Sequence, residues 1–232
     1  GCLMPQIRSV AVSLLIATQA LDAQVYLHPI ISSGERSFPS IALAPPTADM
    51  IAQGFRRSDF KEKEAEQLAA ALAGVVSSAM KKRGWAVDVN SLAAPALQDK
   101  DELRWLVGTL RARHQALAGE VPLIKSKDVR QGRCSLGAGV APLSALVPAD
   151  TLVFVHGVGH RLTKAGTIGQ IAQFVIPVLS GVGAHNGPFF ITGKDVHLRM
   201  SFVDSHSGDI LCFLKVSSAE EGQILQELRK VP

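Results

Sequence analysis

The sequence predicts an α/β fold of α+β-like character: a single mixed β-sheet with a C-terminal antiparallel hairpin, packed by helices. Three observations lead to this prediction. Residues 38–89 read strand, helix, strand, and a crossover helix suits parallel strands. Residues 196–216 read as two apolar strands joined by a tight turn. With 232 residues and 47% apolar content, the chain can bury one sizeable core.

The C-terminal hairpin is the most regular stretch. One face of its first strand is apolar and the other polar, with Val196, Leu198, Met200 and Phe202 set against His197, Arg199 and Ser201. This period of two is typical of a half-buried strand. Asp204 to Asp209 collects turn-forming residues, and residues 210–216 return as a second apolar strand. A lone hairpin is marginally stable in water, so we expect other elements against it.

The strand–helix–strand unit begins with an apolar strand over residues 38–44, which Pro45 and Pro46 end. Apolar residues spaced by three and four then predict a helix that starts near Glu62 and ends at Arg83. Gly84 is suited to its left-handed cap, and residues 85–89 form the next strand. Residues 47–60 are predicted to be a polar loop.

The remaining segments complete the layers. A second helix is predicted over residues 99–117 and short helical turns over 140–146. Residues 151–157 form a nearly continuous apolar run, typical of a strand covered on both faces. The last segments are an irregular lead-in at 24–38, a helix at 168–179 kinked at Pro177, and a final helix at 219–230.

The amino terminus resembles an export signal. Arg8 precedes a short apolar run over residues 10–17, and small Ala23 is a suitable cleavage point. The run is shorter than the roughly 20 residues that span a bilayer. We therefore expect residues 1–23 to be a signal peptide or N-terminal apolar segment, residues 24–232 to be a single α/β domain, and the location to be periplasmic or outer-membrane-associated. A lipid on Cys2, with possible attachment to a membrane surface, stays open.

Composition argues against a nucleic-acid partner. The net charge is +4, and the basic residues are scattered without interleaved aromatic residues. We interpret pairs such as Arg111 and Arg113 as solvated helix ends. Of the cysteines beyond the signal, Cys212 is predicted to be a small buried apolar residue, and its pairing with Cys134 stays open.

One short motif suggests catalysis. His156-Gly157 ends an apolar run, as in the oxyanion-hole strand of α/β-hydrolases. No G-x-S-x-G nucleophile motif follows it, so an esterase centred on His156-Gly157 is an alternative only. Gly157 and Gly159 more simply end a buried strand. No phosphate loop or dinucleotide fingerprint is present, so no cofactor is expected.

The histidines do not predict a metal site. His156 and His160 would stand about 13 Å apart along a strand. His197 is a possible neighbour of His156 across the sheet, and we interpret these as hydrogen-bonded structural histidines. The Asp204–Asp209 turn lacks the ligand count of a calcium loop. The candidate region for a ligand or partner therefore comprises His156, Gly157, Gly159, His160, Asp204 and His206, with no catalytic or metal role assigned.

Three segments together resemble a known family: residues 127–133, 149–157 and 202–211. The chain is similar, from about residue 41 to 228, to uncharacterised exported proteins of Gram-negative bacteria, many of them lipoproteins. It resembles more distantly the curli- and exopolysaccharide-secretion lipoproteins and the TolB amino-terminal domain. Ser207 stands where the family usually has Thr, and Phe213 near where it has Trp or Tyr. The resemblance implies a mixed sheet with helices and an envelope interaction role.

The leading functional hypothesis is a non-enzymatic cell-envelope interaction or assembly protein. Its partner would be another envelope protein or a second copy of the chain, and no small molecule is identified. The alternatives are the esterase and a small-ligand-binding periplasmic protein that uses the glycine-rich region 157–187.

Overall fold

The computed structural model describes residues 24–53, 58–60, 62–119, 121–162 and 196–232. In chain order the elements are β1 (Gln24–Leu27), α1 (Pro29–Ser32), β2 (Ser40–Leu43), β3 (Thr47–Gln53), β4 (Ser58–Phe60), α2 (Glu62–Arg83), β5 (Ala86–Asp88), a 3₁₀ segment (Ala94–Leu97), α3 (Asp101–Ala118), α4 (Ser126–Arg130), a 3₁₀ segment (Ala138–Ala145), β6 (Thr151–Leu162), β7 (Val196–Asp204), β8 (Ile210–Val216) and α5 (Glu221–Leu228).

One mixed sheet joins the eight strands found in the described ranges. Its main path is β1-β8-β7-β6-β2-β5. β2 runs parallel to both β5 and β6. In the series β6, β7, β8 and β1, each strand runs antiparallel to the next. β3 continues along the same side of β6 beyond the end of β2 and pairs with β4. The predicted α/β fold with a mixed sheet and a C-terminal hairpin is confirmed.

The core lies on both faces of this sheet, because strand residues alternate between two apolar layers. Ile41 and Leu43 of β2 pack on the side of α2 and α5, whereas Ala42 and Ala44 face α3. The long helix α2 forms where the spacing predicts it, and Gly84 follows it with a φ of 98°. Only glycine adopts that left-handed conformation without strain.

The hairpin is core structure, as predicted. Val196, Leu198, Met200 and Phe202 are all buried on the α2 side. The polar face is not solvated, however, since Ser201 is fully buried and Arg199 is 8% exposed. Helix α3 and the segments that follow it cover the part of that face around Ser201 and Val203. β6 is likewise covered on both faces, as its continuous apolar run predicts.

Two stretches differ from the sequence prediction. The lead-in at 24–38 contains β1, which adds an edge strand to β8, and the short helix α1. The predicted loop at 47–60 contains β3 and β4. β3 forms because β6 runs past the end of β2 and offers a free edge there, which Thr47–Gln53 fills in parallel. The helix predicted at 168–179 lies outside the described residues.

The two cysteines of the domain lie on opposite faces of the sheet. Cys212 is fully buried among the apolar residues of the α2 side, as predicted. Cys134 is half buried and packs against the layer on the α3 side. Both are free thiols.

Candidate functional site

The His156-Gly157 pair lies in the middle of a strand. His156 is opposite Thr47 of β3 and Arg199 of β7, and β6 continues to Leu162. The prediction that Gly157 ends this strand is wrong. Its backbone belongs to a ladder with neighbours on both sides, so its amide does not project toward a ligand as an oxyanion donor must.

The two glycines of β6 have a packing role instead. A Cβ on Gly157 would stand 2.5 Å from Cδ1 of Leu72, and a Cβ on Gly159 would stand 2.6 Å from Cε of Met50. Glycine at position 157 therefore leaves room for the side chain of Leu72 on α2, and glycine at position 159 leaves room for the side chain of Met50 on the neighbouring strand.

The His156 ring is buried against a polar neighbour strand. Its Nδ1 lies 3.0 Å from the Thr47 hydroxyl, and its Nε2 lies 3.3 Å from the Asp49 carboxylate without hydrogen-bond alignment. Burial lowers the pKa of His156 and outweighs the opposing effect of Asp49, while Arg199 lowers it further. The ring is therefore neutral near pH 7.

A second buried histidine was missed from the sequence. His114 of α3 is 1% exposed, and its Nε2 lies 2.9 Å from the Ser201 hydroxyl. Burial first, and then His156, lower its pKa to about 3. The helical period carried the signal, because His114 follows the buried Val107 and Leu110 on the same face of α3.

His160 and His197 lie at the far end of this sheet face. Their ring centroids are 6.1 Å apart. His197 is opposite Val158, and its ring contact is with His160, whereas the sequence suggested His156 as its neighbour. Across the described ranges, no group of three or more His, Cys, Asp or Glu side chains is arranged to hold a metal ion.

Asp204 and His206 lie at the other end of β6. Asp204 is opposite Thr151, five residues from His156, which is about 16 Å along the strand. The carboxylate of Asp204 accepts the backbone N–H groups of His206 and Ser207 and pairs with Arg36. These bonds hold its pKa at about 2 against the opposing effect of burial.

Asp204 therefore organises the β7–β8 turn. The six predicted residues do not form one site, because the Asp204–His206 turn lies at the start of β6 and residues 156–160 lie farther along that strand. The glycine-rich region 157–187, predicted as a ligand region, is described only to residue 162.

Two surface features are better placed to meet a partner. The first is the α3 surface, a largely apolar cleft of about 530 Å³ lined by Asp101, Glu102, Leu103, Trp105, Leu106 and Pro142. Trp105 is 71% exposed. The sequence pattern alone does not reveal this cleft. Trp105 lies outside the buried stripe of α3, and a single exposed aromatic residue is common on protein surfaces.

The second is a groove beside Arg111, between α2 and the segment that follows β2. The sequence interpretation of Arg111 as a solvated helix end is wrong. Its Nη2 donates to the Pro46 carbonyl oxygen at 2.9 Å, and its Nε is buried without a hydrogen-bond partner.

Comparisons with known proteins add no family. No family model matches the chain, and neither does any curated protein or solved structure. The resemblance to exported envelope proteins therefore stays a prediction. Among the described helices, none is both long enough and apolar enough to cross a membrane.

Proposed function

We propose that this chain is a non-enzymatic interaction or assembly protein of the cell envelope and that it docks a partner protein on the α3 surface. The observation that carries the proposal is Trp105. An indole that is 71% exposed beside an apolar cleft is a large area of apolar surface left in water. Tryptophan is also among the residues most enriched at energetic hot spots of protein interfaces.

The shape and charge of the cleft indicate the partner's chemistry. Leu103, Leu106 and Pro142 form apolar walls that suit an aliphatic or aromatic side chain. Asp101 and Glu102 also line the cleft, and Asp101 already pairs with Arg104. Glu102 therefore favours a partner segment with a Lys or Arg next to its apolar anchor.

The proposal assigns no catalytic role because, in each described pair of side chains that could act as nucleophile and base, at least one member is buried. In the part of the chain that the structure describes, three histidine rings contact hydroxyl groups: His114 with Ser201, His156 with Thr47, and His206 with Ser205. His114 and His156 are at most 1% exposed, and so are the two serines. A nucleophile must reach its substrate, so these pairs favour a structural role over the esterase alternative. Stoichiometric labelling by a fluorophosphonate probe, abolished by His156→Ala, would favour the esterase.

The envelope location rests on the sequence of the amino-terminal segment, where Arg8 precedes the apolar run 10–17 and Ala23. Expression of the chain from Met4 in a Gram-negative host tests it. The intact mass of the periplasmic product should correspond to cleavage after Ala23. A cytoplasmic product that retains residues 4–23 would contradict the location.

Site-specific photocrosslinking tests the docking surface. A photoreactive phenylalanine at position 105 should crosslink one envelope protein, whereas the same group at exposed Gln223 of α5, on the opposite face of the sheet, should not. The purified pair is then titrated by calorimetry. Loss of a hot-spot tryptophan costs about 2 kcal/mol or more, so Trp105→Ala should weaken binding about 30-fold and Gln223→Ala should leave it unchanged.

Two results would contradict this proposal. An affinity that Trp105→Ala leaves unchanged would remove the α3 surface from the interface. Crosslinks that join only two copies of this chain, with a dimer in sedimentation that Trp105→Ala dissolves, would replace the envelope partner with self-association.

A further inference from the structure

The groove beside Arg111 lies at a special place in the sheet. β2 has parallel neighbours on both sides, β5 on one and β6 on the other. Helix α2 comes between β2 and β5 in the chain, α3 comes between β5 and β6, and these two helices pack on opposite faces. The connections that follow the neighbouring strands β2 and β5 therefore pass over opposite faces of the sheet. In open α/β sheets the crevice at such a point is where ligands bind.

The walls of the groove are apolar. It has a volume of about 380 Å³, near the lower end of the range for small-molecule pockets. The segment after β2 supplies Pro45 and Pro46, and helix α2 supplies the small side chains Ala69, Ala70 and Ala73. Alanines at three- and four-residue spacing leave one side of α2 open to an occupant.

The groove has one cationic side chain, Arg111. Nη2 is occupied by Pro46, but Nε is buried without an acceptor. No carboxylate of the described residues forms an ion pair with it, and burial alone lowers its pKa. The guanidinium keeps its charge because its pKa stays far above neutral pH. Burial of a charge without an ion-pair partner costs free energy, and an anionic group beside the guanidinium in the groove would offset that cost.

We propose that this groove binds a small, largely apolar ligand that carries one anionic group, a carboxylate or a phosphate monoester, on Arg111. A planar guanidinium suits both groups. The exposed carboxylate of Glu66 lines the same groove and disfavours a second negative charge on the ligand. This site lies apart from the α3 surface and does not depend on the docking function proposed above.

Calorimetry with four probes of equal chain length tests the site: octanoate, monooctyl phosphate, octanol and octylamine. Octanoate or octyl phosphate should bind at least 10-fold more tightly than octanol, and octylamine should not bind. The stronger of the two anions identifies the head group. Octanol that binds as tightly as both anions, or no binding of either anion up to about 1 mM, would overturn the proposal.

Three variants separate this site from general effects. Arg111→Gln removes the charge and should weaken anion binding at least 10-fold. Ala70→Phe fills the groove from an exposed position of α2 and should also block binding while the chain stays folded. Arg104→Gln removes an exposed charge from the same helix and should leave binding unchanged. Anion binding that survives both Arg111→Gln and Ala70→Phe would exclude the groove as the site.

Discussion

His114 of α3 and Ser201 of β7 are joined by a hydrogen bond of 2.9 Å between two side chains that are almost fully buried. The bond fixes the helix on the polar face of the hairpin. His114 is neutral in this position because burial lowers its pKa to about 3. Because the pKa of His114 is far lower in the folded chain than in the unfolded chain, the free energy of folding depends on pH.

We predict that the protein loses stability as the pH falls from 7 to 5. An unfolded histidine has a pKa near 6.5, so below that pH the unfolded chain binds a proton that His114 does not bind in the folded chain. The stabilisation is complete above about 6.5 and is lost progressively toward about 3. For this one residue the loss between pH 7 and 5 is about 2 kcal/mol, and His156, whose pKa is also lowered, adds to it.

Urea unfolding at pH 7, 6 and 5 measures this loss. His114→Gln removes the titrating group, so its free energy of unfolding should fall about 2 kcal/mol less over the same range. A variant with the same pH dependence as the parent chain would show that His114 does not titrate as the structure implies.

We predict that Gly157→Ala destabilises the protein by about 1–3 kcal/mol. The added methyl group would meet Leu72 at 2.5 Å inside a packed core, where overpacking costs about this much. The matched control is Gly74→Ala in α2, where nothing lies within 4 Å of the new Cβ. There alanine should stabilise the helix by about 0.5–1 kcal/mol. Thermal or urea unfolding measures both, and equal effects would contradict the close approach at Gly157.

We predict that Gly208→Ala is more damaging than Gly34→Ala. Both glycines have a similar left-handed conformation, with φ of 80° and 78°. Gly34 has open space around it, so alanine there adds only the backbone strain of about 1–2 kcal/mol. At Gly208 the new Cβ would lie 2.2 Å from the carbonyl oxygen of Gly137, and that backbone must move. Unfolding free energies of the two variants measure the difference, and equal losses would mean that the turn yields easily.

The sequence predicts elements whose pattern is local. Helix α2 and the β7–β8 hairpin have enough regularly spaced apolar residues to identify both their type and their buried face. Strand β3 is different, because its seven residues include Asp49 and no clean alternation. It is a strand because β6 extends past β2 and leaves an edge to pair with. That cause lies elsewhere in the chain, so a local pattern cannot reveal it.

The same limit applies to the candidate sites. The neighbours of His156 in the sheet include Thr47 and Asp49, which belong to the strand that the sequence interprets as a loop. The groove at Arg111 exists only once α2 and α3 lie on opposite faces of β2. The residue type alone made His156 a candidate site residue, but the strand order of the sheet determines which side chains lie next to it.

We predict that Phe202→Ala costs about 3–5 kcal/mol of unfolding free energy. Phe202 is fully buried, and its ring centroid lies 5.0 Å from that of Phe38 and 5.5 Å from that of Trp85. Removal of this ring leaves a cavity and ends two aromatic contacts, each worth about 0.5–1.5 kcal/mol beyond burial. Urea unfolding measures the loss. His197→Ala, at a half-buried position on the opposite face of β7, should cost much less.

The tryptophans give this prediction a local readout. The chain has two, Trp85 at 8% exposure and Trp105 at 71%. In a Trp105→Phe background the remaining emission reports Trp85 alone and should resist quenching by acrylamide. Phe202→Ala in that background should increase the quenching and shift the emission to longer wavelength, because water gains access to the space beside the indole. His197→Ala in the same background should change neither. A Phe202→Ala variant that unfolds like the parent chain and keeps Trp85 protected would contradict the aromatic cluster described here.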